Sequence, residues 1–189
     1  MTIAHLIVTL QGIEPIVSRG LEVPIDIRLD RLHLTIQAAM GWENCHLYEF
    51  TAANTHWGLP DPDFGTTARP VNKATLAEVI DVAGKDPIRY TYDFGDDWVH
   101  LIVVDGVSDP IPGNLYPRLI DITGRCPPED VGGLPGYEHF LEVMRDTTHD
   151  EYDALMRWSG GHFDPRVANS DELRLEVLKL GKKWKPRRS

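Results

Sequence analysis

Two strand-like runs meet at Phe94-Gly95-Asp96-Asp97, and the stretch Ile88 to Val104 therefore has to be accommodated as a β-hairpin. With Gly95-Asp96 as a two-residue turn, Phe94 faces Asp97 and Tyr92 faces Val99. That register puts Ile88, Tyr90, Tyr92 and Phe94 with Asp97, Val99, Leu101 and Val103 on the core face. The other face then presents Arg89, Thr91 and Asp93 beside Ile102, His100 and Trp98. A carboxylate beside an imidazole on a strand is an acid–base or metal-binding pair, or a cross-strand hydrogen bond beneath the indole.

The rest of the chain reads as further strands, then helices. Ile3 to Leu10 is rich in strand formers. Leu21 to Leu29 alternates apolar and polar residues without a break, with Pro24 marking an edge or an irregularity. Asp30 is an N-cap candidate for a helix carrying Leu32, Ile36, Ala39 and Met40 and closed by Gly41. His46 to Thr51 reads as a strand, residues 54–72 as a loop, and Thr75 with Glu78 as a capping box. The segment 105–135, with five prolines before Pro135, reads as a long loop. Tyr137, Phe140, Leu141 and Met144 form a helical stripe. Thr148 and Glu151 have capping-box spacing, and Asn169 or Ser170 caps a last helix that Gly181 stops. The expectation is an α+β fold: a mixed or antiparallel sheet, in an order shared with β-grasp-like folds, with helices packed on it and a helical C-terminal third. Residues 1–181 form a single domain in this reading, and 182–189 form a basic tail.

Charge limits the partners. The chain has 29 acidic and 19 basic residues, and five of the basic ones lie in the acid-free last nine positions. The body up to residue 180 is left at −15, which disfavours broad contact with a phosphate backbone. Nucleic acid is expected only at the tail, and a protein or small ligand elsewhere. No segment approaches the roughly 20 apolar residues of a spanning helix, and no secretory signal opens the chain. A cytoplasmic protein with Cys45 and Cys126 as free thiols is expected.

Familiar catalytic signatures are missing. Asp93-Phe94-Gly95 matches a kinase tripeptide, but the chain is too short for that fold and lacks its Gly-rich and His-Arg-Asp loops. The most unusual string is Cys126-Pro-Pro-Glu-Asp-Val-Gly-Gly133, where prolines stiffen two adjacent carboxylates and glycines permit a close approach. Glu129 and Asp130 can ligate a divalent cation with a histidine, or serve as structural caps. The candidate binding cluster is therefore Asp93, Trp98, His100, Glu129 and Asp130, with His46, His100, Glu129 and Asp130 as metal-ligand candidates. The acidic loop is expected against His100, raising its pKa unless a metal takes the neutral ring.

Tyr92-Asp-Phe-Gly-Asp-Asp-Trp98-Val-His100, Tyr116-Pro117-Arg118, the Cys126–Gly133 string, Gly136-Tyr137 and Phe163-Asp164-Pro165 together resemble the plasmid pRiA4b ORF-3-like family. His46-Leu-Tyr-Glu-Phe50 resembles that family's early strand, and the likeness spans residues 3 to 180. It implies an α+β fold, a plasmid or insertion-element setting, sometimes with a resolvase label, and no catalytic residues to carry over. The arginine-rich site and helix-turn-helix of a serine recombinase are not found in the sequence. The leading functional expectation is a non-catalytic interaction or accessory module. The alternatives are a metal-dependent enzyme built on the His/Asp/Glu cluster and a DNA-associated protein acting through its tail.

Overall fold

The computed structural model describes residues 1–59 and 68–185. Strands β1 (Ile3–Leu10) and β2 (Val17–Pro24) form a hairpin, and α1 (Leu29–Met40) follows. Next come β3 (Tyr48–Ala52), β4 (Thr55–Gly58), β5 (Arg69–Pro70), α2 (Leu76–Ala83), β6 (Ile88–Tyr92), β7 (Trp98–Ser108) and β8 (Arg118–Thr123). The chain finishes in α3 (Gly133–Arg145), α4 (Tyr152–Trp158) and α5 (Ser170–Trp184). One mixed sheet runs in the order β5-β4-β3-β6-β7-β1-β2-β8, antiparallel throughout except between β4 and β5. The fold is α+β, with the helical C-terminal third that the sequence indicates.

The core lies between one sheet face and the helices. Helix α1 buries Leu29, Leu32, Ile36, Ala39 and Met40 against Leu6, Val8, Leu21 and Tyr90 of the same apolar cluster. Arg19, 1% exposed, stitches these layers together. Its guanidinium donates to the carbonyls of Ala39, Ser18 and Thr123, so a cation holds the C-terminal end of α1, where carbonyl dipoles favour positive charge.

The β6–β7 hairpin departs from the expected register by one residue. Tyr92 pairs with Trp98 and Tyr90 with His100, because Asp93 to Asp97 together make the turn. Asp93 and Asp97 are both left-handed there, the Asp97 N–H donates to the Asp93 carbonyl, and Asp93 Oδ1 accepts from Gly95 N–H at 2.9 Å. Because side chains alternate, this single step reverses every residue of β7. Trp98, His100 and Ile102 are buried with Tyr90 and Tyr92, whereas Val99, Leu101 and Val103 face outward and Phe94 is exposed. Trp98 and His100 therefore belong to the core rather than to a polar face shared with Asp93.

Other differences follow from tertiary contacts that local patterns do not encode. The alternation after Pro24 is no strand: the Ile25 and Ile27 carbonyls accept from Ala77 and Leu76 at the start of α2, and α1 begins at Leu29 rather than after an Asp30 cap. Strand β2 ends at Pro24 and lies inside the sheet. Part of the expected 54–72 loop is β4, and residues 60–67 of it fall outside the described residues. The 105–135 segment is split by the end of β7 and by β8. Glu151 makes no cap and pairs with His139 instead, and Asn169 sits at the cap position but donates to Glu172. Gly181 lies within α5, where a Cβ would meet the Tyr116 and Pro117 carbonyls at 3.3–3.4 Å, so its role is close packing. The Thr75–Glu78 capping box and the Gly41 closure of α1 form as expected.

The observed register makes a direct prediction. Ile102→Ala should cost about 2–5 kcal/mol in chemical denaturation, and outward Leu101→Ala less than about 1.5 kcal/mol. The reverse ranking would restore the register expected from the two-residue turn.

Candidate functional site

The site is built on the turn between α1 and β3, whose backbone is held by side chains from three other elements. The N–H of Glu43 donates to Glu129 Oε1 at 2.7 Å, that of Asn44 to Gln37 Oε1 at 3.2 Å, and that of Cys45 to the Tyr92 hydroxyl at 3.1 Å. Tyr92 in turn donates to Glu129 Oε1 at 3.1 Å. Behind them His33 stacks on Tyr48 at 3.4 Å, contacts the Tyr90 hydroxyl at 2.8 Å and hydrogen-bonds Asn44. Satisfied networks of this kind fix a loop in one conformation.

What they fix is His46. Its Nε2 lies 3.0 Å from Asp130 Oδ1, 3.5 Å from Asp93 Oδ2 and 3.9 Å from Glu129 Oε2. Asn44, Asp93 and Asp130 all hold left-handed backbone conformations, which cost a non-glycine residue free energy and persist where surrounding contacts impose them. The acidic loop reaches the hairpin turn by close backbone approach. Gly132 N–H donates to Asp96 Oδ2 at 3.1 Å, and a Cβ on Gly133 would lie 2.6 Å from the Asp96 carbonyl oxygen. The Gly-Gly pair is thus required for docking.

Of the residues singled out in the sequence, the structure gathers His46, Asp93, Glu129 and Asp130 and leaves out Trp98 and His100. Trp42 occupies the place where a Glu129–His100 contact was expected. It packs edge-on against His100, with ring centres 5.3 Å apart, and donates its indole N–H to the Pro127 carbonyl. His100 is fully buried, its Nδ1 faces the Tyr90 carbonyl at 3.3 Å, and its Nε2 has no partner. Burial pushes its pKa down to about 4, opposite to the rise expected from carboxylate contact. His100 is therefore not a ligand candidate. Tyr92, Glu43, Asn44 and Cys45 were not anticipated as site residues. The first carried a core signal, and the others lie in a turn where Glu43 and Cys45 are held by residues distant in sequence.

The carboxylates are not equivalent. Burial raises the pKa of Glu129, against the Glu43 N–H, the Tyr92 hydroxyl and His46, which favour its charged form. Burial, then the Glu129 charge, drives the Tyr92 phenol well up, so it remains a neutral donor. Cys45 is exposed and Cys126 buried, both as free thiols, and burial raises Cys126 to about 11. A groove of about 600 Å³ runs from Trp42 and Glu129 between α1 and α5. A smaller hollow of about 380 Å³ opens on the other side of the turn, beside Cys45 and His46.

Fold and site together define a one-sheet α+β protein with a carboxylate-ringed histidine where its hairpin turn meets a Pro-Pro-Glu-Asp loop. The chain belongs to the plasmid pRiA4b ORF-3-like protein family, whose sequence model matches residues 2–172. It is 41% identical over 184 residues to the uncharacterised protein y4hQ of Sinorhizobium fredii, covering 97% of this chain and 94% of that one. It is also similar to the crystal structure of MM3350, a protein of unknown function from Methanosarcina mazei Go1. That match has 33% identity and a TM-score of 0.82 over 90% of this chain and 96% of that chain. The relatives carry no catalytic assignment. No helix among the described residues is long and apolar enough to cross a membrane.

Two buried imidazoles set a pH dependence. His33 and His100 are both held down to about 4 by burial, below the ordinary 6.5. The unfolded chain binds these protons first, so their contribution to stability is present above pH 6.5 and lost as pH falls towards 4. His100→Leu should flatten the decline in melting temperature across that window. An unchanged slope would show that burial does not lower the His100 pKa in the fold.

Proposed function

We propose that the protein is a non-catalytic accessory module, working in the cytoplasm in connection with a plasmid or other mobile element, and that it docks a protein partner on the outer face of its sheet. One observation carries the docking surface. Ile7 pairs with Val103 and Thr9 with Leu101 across β1 and β7, with Val99 beside them, and Ile7 and Val103 remain 42% and 44% exposed. Thr91, Arg89, Asp121 and the Glu22–Arg118 ion pair surround this patch with polar groups. An apolar centre with a polar rim is the anatomy of a protein interface.

The acidic body favours a partner whose rim is basic. The plasmid in the family's description supports the mobile-element setting. Nucleic acid is a weaker reading, because Lys182 and Lys183 already complement the negative end of the α5 dipole and the body of the chain is strongly acidic.

The test compares complexes isolated from the native host with the wild-type chain and with Val103→Lys. A defined partner that co-purifies with the first and is lost from the second, at unchanged melting temperature, is the expected result. Identical complexes from both would overturn the docking surface.

A further inference from the structure

The structure assigns a divalent transition-metal site to His46, Asp93 and Asp130, with Glu129 and Cys45 beside it, and we propose zinc as the ion. The inference is independent of the sheet-face reading. It starts from an unsatisfied atom: His46 Nε2 is shut off from solvent and has no hydrogen-bond partner. Asp130 Oδ1 is only 3.0 Å away but lies off the axis along which a ring N–H would donate, so the contact is not a hydrogen bond. Burying a polar nitrogen without a partner is costly, and a group that ends the deficit is expected on that axis.

A metal ion fits that geometry. Two ligands each about 2.1 Å from one ion, at roughly tetrahedral or square angles, lie roughly 3.0–3.5 Å apart, and each is off the other's lone-pair axis. The His46 Nε2 separations of 3.0 Å from Asp130 and 3.5 Å from Asp93 fall at that spacing. Ligand atoms of His46, Asp93 and Asp130 all lie within 4.8 Å of one another, and so do those of Cys45, His46 and Glu129. Both sets share His46. An imidazole with carboxylates and an adjacent thiol suits zinc better than magnesium or calcium, which take oxygen ligands.

The arrangement also has the outer shell that ligands need. Asp93 accepts the Gly95 N–H, which holds its turn, and Glu129 is oriented by the Glu43 N–H and the Tyr92 hydroxyl. The Asp130 side chain is 68% exposed, which leaves the cluster open to solvent on that side. The competing account has His46 protonated as a fixed counter-ion to the carboxylates, holding the acidic loop with no metal.

The full-length chain, purified without an affinity tag and stripped with chelator, is titrated with Zn²⁺ alone by calorimetry and then with Co²⁺ by absorption spectroscopy. One ion per chain is expected, with a rise in melting temperature and ligand-field bands of a low-coordinate Co²⁺ site. His46→Ala and the conservative Asp130→Asn should each weaken binding by roughly tenfold or more, while metal-free melting of Asp130→Asn stays near wild type. No binding by the folded wild-type chain overturns the proposal and leaves the counter-ion account. Equal binding by His46→Ala and wild type also overturns it, placing the metal elsewhere.

Discussion

The half-buried carboxylate of Glu129 is the interaction on which the arrangement of the site depends. Residues 126–132 carry no regular structure before α3, and they are anchored to the body at few points. Trp42 holds the Pro127 carbonyl, Asp96 holds Gly132, and Glu129 accepts from both the Glu43 backbone and Tyr92. Without the last of these the Glu43 N–H and the Tyr92 hydroxyl lose their acceptor, and Trp42 is left as the hydrogen bond between the turn carrying His46 and the acidic loop. Glu129 is raised in pKa by burial and yet kept near three favourable partners, so its position is a balance between desolvation and hydrogen bonding.

That balance accounts for the aromatic composition around it. Trp42, Tyr92 and Trp98 form a wall, with Trp42 stacked 5.1 Å from Tyr92 and tilted against Trp98 at 6.1 Å, on the inner side of Glu129. The same wall separates the acidic loop from His100. The hairpin thus contributes to the site through its turn and through one phenol at its end, while its strands serve the core. A rigid core carrying a site on its loops is the usual division of labour between scaffold and function.

Much of the fold was legible in the sequence. Strands β1 and β6, the helix ending at Gly41, the Thr75–Glu78 box and the helical C-terminal third all follow from local periodicity and capping. The failures have a common cause. Gly95-Asp96 looks like a two-residue turn, yet Asp93 and Asp97 adopt left-handed conformations and widen it to five, and one residue of slip moves Trp98 and His100 into the core. Pro24 to Leu29 alternates like a strand, yet its carbonyls serve the α2 N-terminus. For the site, residue type pointed to Asp93, Glu129, Asp130 and His46, because carboxylates beside prolines and glycines stand out. The sequence could not show which histidine they meet, since that depends on Trp42 and on the hydrogen bonds of the Glu43 and Cys45 N–H groups to residues distant in sequence.

The central claim is that folding places His46, Asp93 and Asp130 around one point in space that suits a cation. The most direct measurement is an anomalous difference map from crystals of the tag-free chain grown with zinc and recorded on both sides of the zinc absorption edge. The account predicts one strong peak within bonding distance of His46 Nε2 and of oxygens from Asp93 and Asp130. A map with no peak there, and with the His46 ring hydrogen-bonded to a carboxylate or to water instead, would contradict it.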